Sequence, residues 1–291
     1  MLLALNIKTA IVAAVFAASP VAVSVLVTSE AQHRAGAIDA PALVEVRPAS
    51  LHYFPAGEFT RHGKPADAPQ LTVRIDRPLQ ITKNLVSVGE YQRCVDEGAC
   101  ARLPADAAAA PNRPAVMVSW RDAQAYALWL SRKLSTYYRL PTDAEWTFAA
   151  GTRAPDESPP AGDGSDPIAR WLKRYERESQ SRPDPAPKPL GGFGTNERGL
   201  TDLSGNVWEW TDSCFTRSAL DDGSARVVTI NCGVRVVEGR HRTYVSDFIR
   251  DARAGGCAVG VPPSNLGFRL VRDAAPTWWI SLAKWVRRVT G

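Results

Sequence analysis

GLTDLSGNVWEWTD, residues 199–212, sets two tryptophans, an aspartate, an asparagine and a glutamate around one glycine turn. Trp208 and Trp210 alternate with Val207 and Glu209, the period of a strand with an aromatic and a polar face. Asp202, Asn206 and Glu209 are hard oxygen donors grouped about Gly205, whose freedom lets carbonyls turn inward, as calcium prefers. The residues alone fit two readings: a calcium loop, or a rigid core turn whose polar groups satisfy the backbone. No regular calcium-loop spacing chooses between them.

Working outward, a chain of 291 residues that is 45% hydrophobic can bury one large core. The formal charge is +5, but the basic residues are scattered. The densest run, RWLKRYER from Arg170 to Arg177, is interrupted by Trp171, Leu172 and Tyr175 on one helical face. That pattern describes a solvated amphipathic helix and not a nucleic-acid surface. Residues 1–31 are expected to be a targeting segment, with Lys8 ahead of an apolar run and small residues Ser29 and Ala31 where an export peptidase reads. Both a cleaved signal peptide and a retained membrane anchor fit that run, and either places the folded part outside the cytoplasm, most simply in the periplasm.

The five cysteines suit an oxidising compartment, since no CxxC pair or zinc-like Cys/His cluster exists. Cys94 and Cys100 flank the short loop VDEGA and are expected to close it. Cys214 and Cys232 bracket a polar excursion after the tryptophan strand and are expected to staple its base. Cys257 is left single, either a buried thiol or a reactive group.

Residues 32–48 are alanine-rich, without a period, and read as a linker; the domain is expected over 49–273. LHYFPAGEFT from Leu51 and LTVRIDRPLQITKN from Leu71 alternate as paired strands. Ser87, Ser119 and Thr142 each stand as N-cap before a helix, with Glu90 and Glu145 placed to close capping boxes. Residues 151–190 turn to Pro, Asp, Ser and Arg and read as a surface insertion. In the tail, 274–291, Trp278, Leu282, Trp285 and Val289 share one helical face, with Trp279 beside them. Such a helix suits docking, or contact with a membrane surface through Trp278, Trp279 and Trp285.

Six segments in order, FPAGEFT, VSVGEYQRCV, PAVMVSWRDAQAYALWLS, RLPTDAEWTFAA, GLTDLSGNVWEWT and SNLGFRLVR, resemble the sulfatase-modifying-factor family, whose founding activity is formylglycine generation. The resemblance implies an irregular α+β, C-type-lectin-like fold with bound calcium. It puts one calcium site on the side chains of Asp202 and Glu209 and the carbonyls of Leu203, Gly205 and Val207. The family's oxidases bind copper(I) through two cysteines five apart in a segment resembling GGSxxCHRSYC. Here the matching stretch is VVEGRHRTYVSDFIRDAR, where His241, Arg242 and Tyr244 agree but Arg240 and Val245 replace the cysteines. Neither can bind copper as a thiolate.

Two classes of function follow. One is a binding or regulatory module, an accessory protein in the cell envelope that engages a protein or peptide partner. The other is a maturation enzyme using Glu238, His241, Asp247, Asp251 and Arg253 as acid, base and anion clamp. An iron centre would need a second histidine and a carboxylate beside His241.

Overall fold

Local hydrogen bonding sets the helices of this chain. In the computed structural model the described residues are 38–158, 166–169, 172–173, 176, 186–221, 225–251 and 265–274. Residues 1–31, expected to be a targeting segment, lie outside them, as do Cys257, Arg253 and the tryptophans of the tail. Helix α1 (Val88–Asp96) starts at Ser87, whose side chain accepts from the Glu90 N–H while the Glu90 carboxylate accepts from the Ser87 N–H. Thr142 and Glu145 make the same reciprocal pair at α3 (Asp143–Ala150). Ser119 does so with Asp122 at α2 (Trp120–Leu134). Each box satisfies two N–H groups that a helix start otherwise leaves bare.

Short strands fill the space between helices. β1 (Leu43–Val46), β6 (Leu79–Thr82), β12 (Val271–Arg272) and β7 (Tyr138–Arg139) form one sheet in that order. β2 (Ala49–Tyr53) and β5 (Leu71–Ile75) pair antiparallel with Leu51 opposite Val73, as their alternation predicts. The largest sheet runs β10 (Thr243–Ser246), β9 (Arg226–Glu238), β8 (Trp208–Ala219), β3 (Glu58–Arg61) and β4 (Lys64–Ala66). β11 (Leu266–Gly267) also pairs with β8. The result is the expected irregular α+β architecture. One core cluster gathers Ile81, Trp146, Phe148, Leu200 and Leu203 between the first sheet and α3.

Two details depart from the sequence reading. Residues 32–48 do not stay a linker throughout, because β1 pairs with β6 from Leu43↔Thr82 to Val46↔Leu79. A four-residue strand with one buried position is too short to announce itself in an alanine-rich stretch. The tryptophan strand has no wet polar face either: Trp208, Glu209, Trp210 and Thr211 are all buried.

Both expected disulfides are present. Cys94–Cys100 closes the end of α1, and Cys214–Cys232 ties β8 to β9.

Candidate functional site

The turn ahead of β8 carries Asp202 and Ser204 in the left-handed region, at φ 63° and 55°. Asp202 is held there by its own carboxylate: Oδ2 accepts from the Gly191 N–H at 2.6 Å and Oδ1 from the Phe193 N–H at 2.8 Å. Gly205 is required by crowding, since a Cβ would sit 2.7–2.9 Å from the Phe193 side chain. The next acid, Glu209, is fully buried against the equally buried Arg269. Arg269 Nε donates to one carboxylate oxygen and Nη2 to the other at 2.8 Å. Its remaining N–H groups reach the carbonyls of Thr201, Lys83 and Thr82.

These side chains, so arranged, are held by protein groups alone. All four carboxylate oxygens of Asp202 and Glu209 already accept hydrogen bonds, and a guanidinium supplies the cation that a buried carboxylate needs. Adding millimolar calcium is therefore expected to leave Tm where magnesium at equal ionic strength leaves it. A calcium-specific rise of several degrees in a thermal melt would show an ion seated in the turn.

A second buried cluster lies where β9 turns into β10. Glu238 has no exposed surface. Arg242 Nε donates to its Oε1 at 2.7 Å, while Arg242 Nη2 lies 3.1 Å from Asp143 Oδ1. Further anchors fix the guanidinium and its backbone, through the Phe54 carbonyl and the Glu157 carboxylate. Two acids thus face one base. Asp143 Oδ1 and Glu238 Oε2 are both buried without a hydrogen-bond partner. Burial, and then the neighbouring Asp143 charge, push the Glu238 carboxyl well above the usual carboxylate range against the pull of Arg242. Tyr53 and Tyr244 border the cluster, each phenol pushed up to about 12 chiefly by burial.

Of the acid–base residues expected from the sequence, Glu238 and His241 lie at this turn. The His241 ring meets Trp208 edge-on at 4.4 Å, and its Nδ1 lies 3.1 Å from the Arg242 carbonyl. Gly239 between them lets Trp208 approach, since a Cβ there would sit 2.5 Å from the indole. Asp247 is elsewhere, past the far end of β10, where Arg121 grips both its oxygens at 3.0 and 3.1 Å. Asp251 follows it, half-buried. Arg253 is outside the described residues, so the expected acid, base and clamp are not seen together.

At the two positions where copper-binding thiolates are implied, Arg240 is exposed and Val245 is buried inside β10. Val245 stands opposite Arg235 in the ladder. The Arg235 guanidinium lies 3.6 Å from the centroid of the Trp120 ring, and its Nη1 donates to the Asp212 carbonyl at 2.8 Å. Cation and apolar side chain replace the soft donor pair, so this place does not fit copper(I). Sequence reasoning missed Asp143, Arg235 and Arg269. An arginine inside the apolar run Leu266–Val271 was the one available sign of a buried ion pair.

A family model for the sulfatase-modifying factor enzyme 1-like domain matches residues 41–274. A formylglycine-generating enzyme of Streptomyces coelicolor is 31% identical over 176 residues, 56% of this chain and 54% of that protein. The inactive C-alpha-formylglycine-generating enzyme 2 of Bos taurus is 32% identical over 167 residues, 55% of this chain and 50% of that protein. The chain thus spans about half the length of these curated relatives. The structure of PvdO from Pseudomonas aeruginosa shares the fold at TM-score 0.53 and 22% identity, covering 82% of this chain and 97% of that one.

Proposed function

Because this chain belongs to the sulfatase-modifying factor enzyme 1-like domain family, we propose that it is an exported member without copper-dependent formylglycine-generating activity. Its role is that of an accessory protein that binds a protein or peptide partner in the cell envelope, in the periplasm. One observation carries the reading: Arg240 and Val245 occupy the thiolate positions, and Val245 faces a guanidinium pinned on Trp120. Thiolates supply the copper(I) affinity on which that oxidase chemistry rests. The disulfides Cys94–Cys100 and Cys214–Cys232 support an oxidising compartment. Relatives carrying the name inactive, at 32% identity, support the reading.

The alternative, an enzyme of the same family using cleft residues other than cysteine, has less support. Glu238 has no exposed surface, and Asp247 is clamped by Arg121.

The test incubates the purified full chain with copper(I) and a cysteine-containing sulfatase peptide. No copper should be retained after desalting, and neither oxygen uptake nor peptide aldehyde should exceed the buffer control. Aldehyde formation abolished by His241→Ala would overturn the proposal and establish the enzyme reading.

A further inference from the structure

The β8–β9 hairpin runs out beyond the core. Residues 226–233 of β9 are exposed throughout, while its last four residues are buried. Only the buried half has neighbours on both sides, because β10 pairs with Val234–Val237 and stops. Along 226–232 the strand is bonded to β8 on one side and, among the described residues, to no strand on the other. Such an edge offers unpaired N–H and C=O groups as a template for another strand.

Natural edges are usually blunted by lysine, proline, a short strand or an inward charge. The segment RVVTINCG, 226–233, carries no proline and only one charge, Arg226. It is apolar where solvent should be: Val227 is 51% exposed, Val228 54% and Ile230 65%. Phe248, 62% exposed, follows at the arm's base, where the Asp247 N–H donates to the Gly233 carbonyl at 2.9 Å. Of the seven large hydrophobic residues exposed among the described residues, three belong to this arm and a fourth follows at its base. Cys214–Cys232 fastens β9 to β8 at the arm's base, so the edge is held in place before any partner arrives.

Charge narrows the partner. Leu220 and Asp221, at the hairpin's outer end, hydrogen-bond to Thr60 and His62 on the β3–β4 turn. Among the described residues, exposed Arg61, Lys64 and Arg226 lie at that end with exposed Asp221, and Glu58 is held by Arg217; Asp222, next in the sequence, falls outside the described residues. Three cations, Arg61, Lys64 and Arg226, against the two acids Asp221 and Asp222 leave that end a small positive excess.

We propose that residues 226–232 of β9 bind an extended segment of a partner protein by strand addition. That segment has apolar or β-branched residues at alternate positions and acidic residues at the end meeting Arg226. Main-chain hydrogen bonds hold it, Val228 and Ile230 select its side chains, and the basic end fixes its direction. The proposal rests on the partner-binding reading above and names the surface involved.

The test uses the full chain and a fluorescent peptide of about eight residues, matching the open edge. It alternates valine and threonine and ends in two glutamates. The native chain should bind it. Ile230→Lys, at an exposed position and with unchanged Tm, should weaken binding at least about tenfold, as should two prolines placed mid-peptide. Arg226→Glu should reverse the preference between glutamate- and lysine-ended peptides. Hydrogen exchange should show new protection over 227–232. Failure to bind at millimolar peptide, or equal binding of the proline peptide, overturns the proposal. A native dimer that Ile230→Lys converts to monomer overturns it in favour of a second copy of this chain. None of these results changes the copper and oxygen assays, so a failed surface and a failed functional reading are told apart.

Discussion

Arg269→Met is expected to destabilise the folded chain by about 3–5 kcal/mol. Arg269 and Glu209 are both fully buried, so the substitution strands a carboxylate with no solvent to turn to. It also removes the donors that reach the Thr201, Thr82 and Lys83 carbonyls. The opposite result attends the double change, Arg269→Met with Glu209→Leu. Replacing both members of a buried pair by apolar groups is often neutral or stabilising. Most of the loss should therefore return, less the cost of the three freed carbonyls. Urea unfolding of the native chain, both single variants and the double variant measures the coupling. Additive losses would show that Glu209 and Arg269 act separately.

Stability should fall as pH rises above the ordinary carboxylate range, and Glu238→Gln should flatten that fall. Glu238 has a folded pKa raised above its unfolded value, by burial first. The sign follows: its contribution is fully present below the unfolded pKa, 4.5, and is lost progressively until pH passes the folded value. Within that window each pH unit removes about 1.4 kcal/mol. The facing groups are Arg242 and Asp143, with Tyr53, Tyr244 and Glu157 around them. The two tyrosines, near 12, stay neutral throughout. An amide keeps the shape, keeps an acceptor for Arg242 and donates to Asp143 without needing a solution proton. Melts of both proteins between pH 4 and 9 make the comparison. An infrared band of a protonated carboxyl at neutral pH, absent in Glu238→Gln, would locate the proton. Parallel pH profiles of the two proteins would refute it.

What the sequence revealed follows the range of the interaction. Ser87 with Glu90 and Thr142 with Glu145 were legible because a cap acts across three residues, and so was the Cys94–Cys100 bridge across six. The paired strands β2 and β5 announced themselves by alternation. Arg269 and Glu209 are 60 residues apart, and no local period links them. Glu238 was legible as an acid near the turn, whereas its partner Asp143 read only as a helix-start residue. Burial by distant elements makes the pair, and a single chain read in order does not display that. The same limit explains Asp202. Its residue type and its glycine neighbour suit a calcium loop, but the Gly191 and Phe193 amides that occupy its oxygens come from outside the quoted turn.

One feature of the connectivity bears on the order in which the chain is made. Glu58 on β3 meets Arg217 on β8 across 159 residues, and the Leu270 N–H reaches Thr82 across 188. Early strands are thus synthesised long before their neighbours exist. Until residues 265–272 emerge, β8 lacks β11, β6 lacks β12 and Glu209 lacks its cation. Long-range pairing of this kind is slow and leaves edges open to aggregation. The last stretch of the domain is consequently its latch: a chain halted before it would hold its helices and its first hairpins, yet remain a client for chaperones.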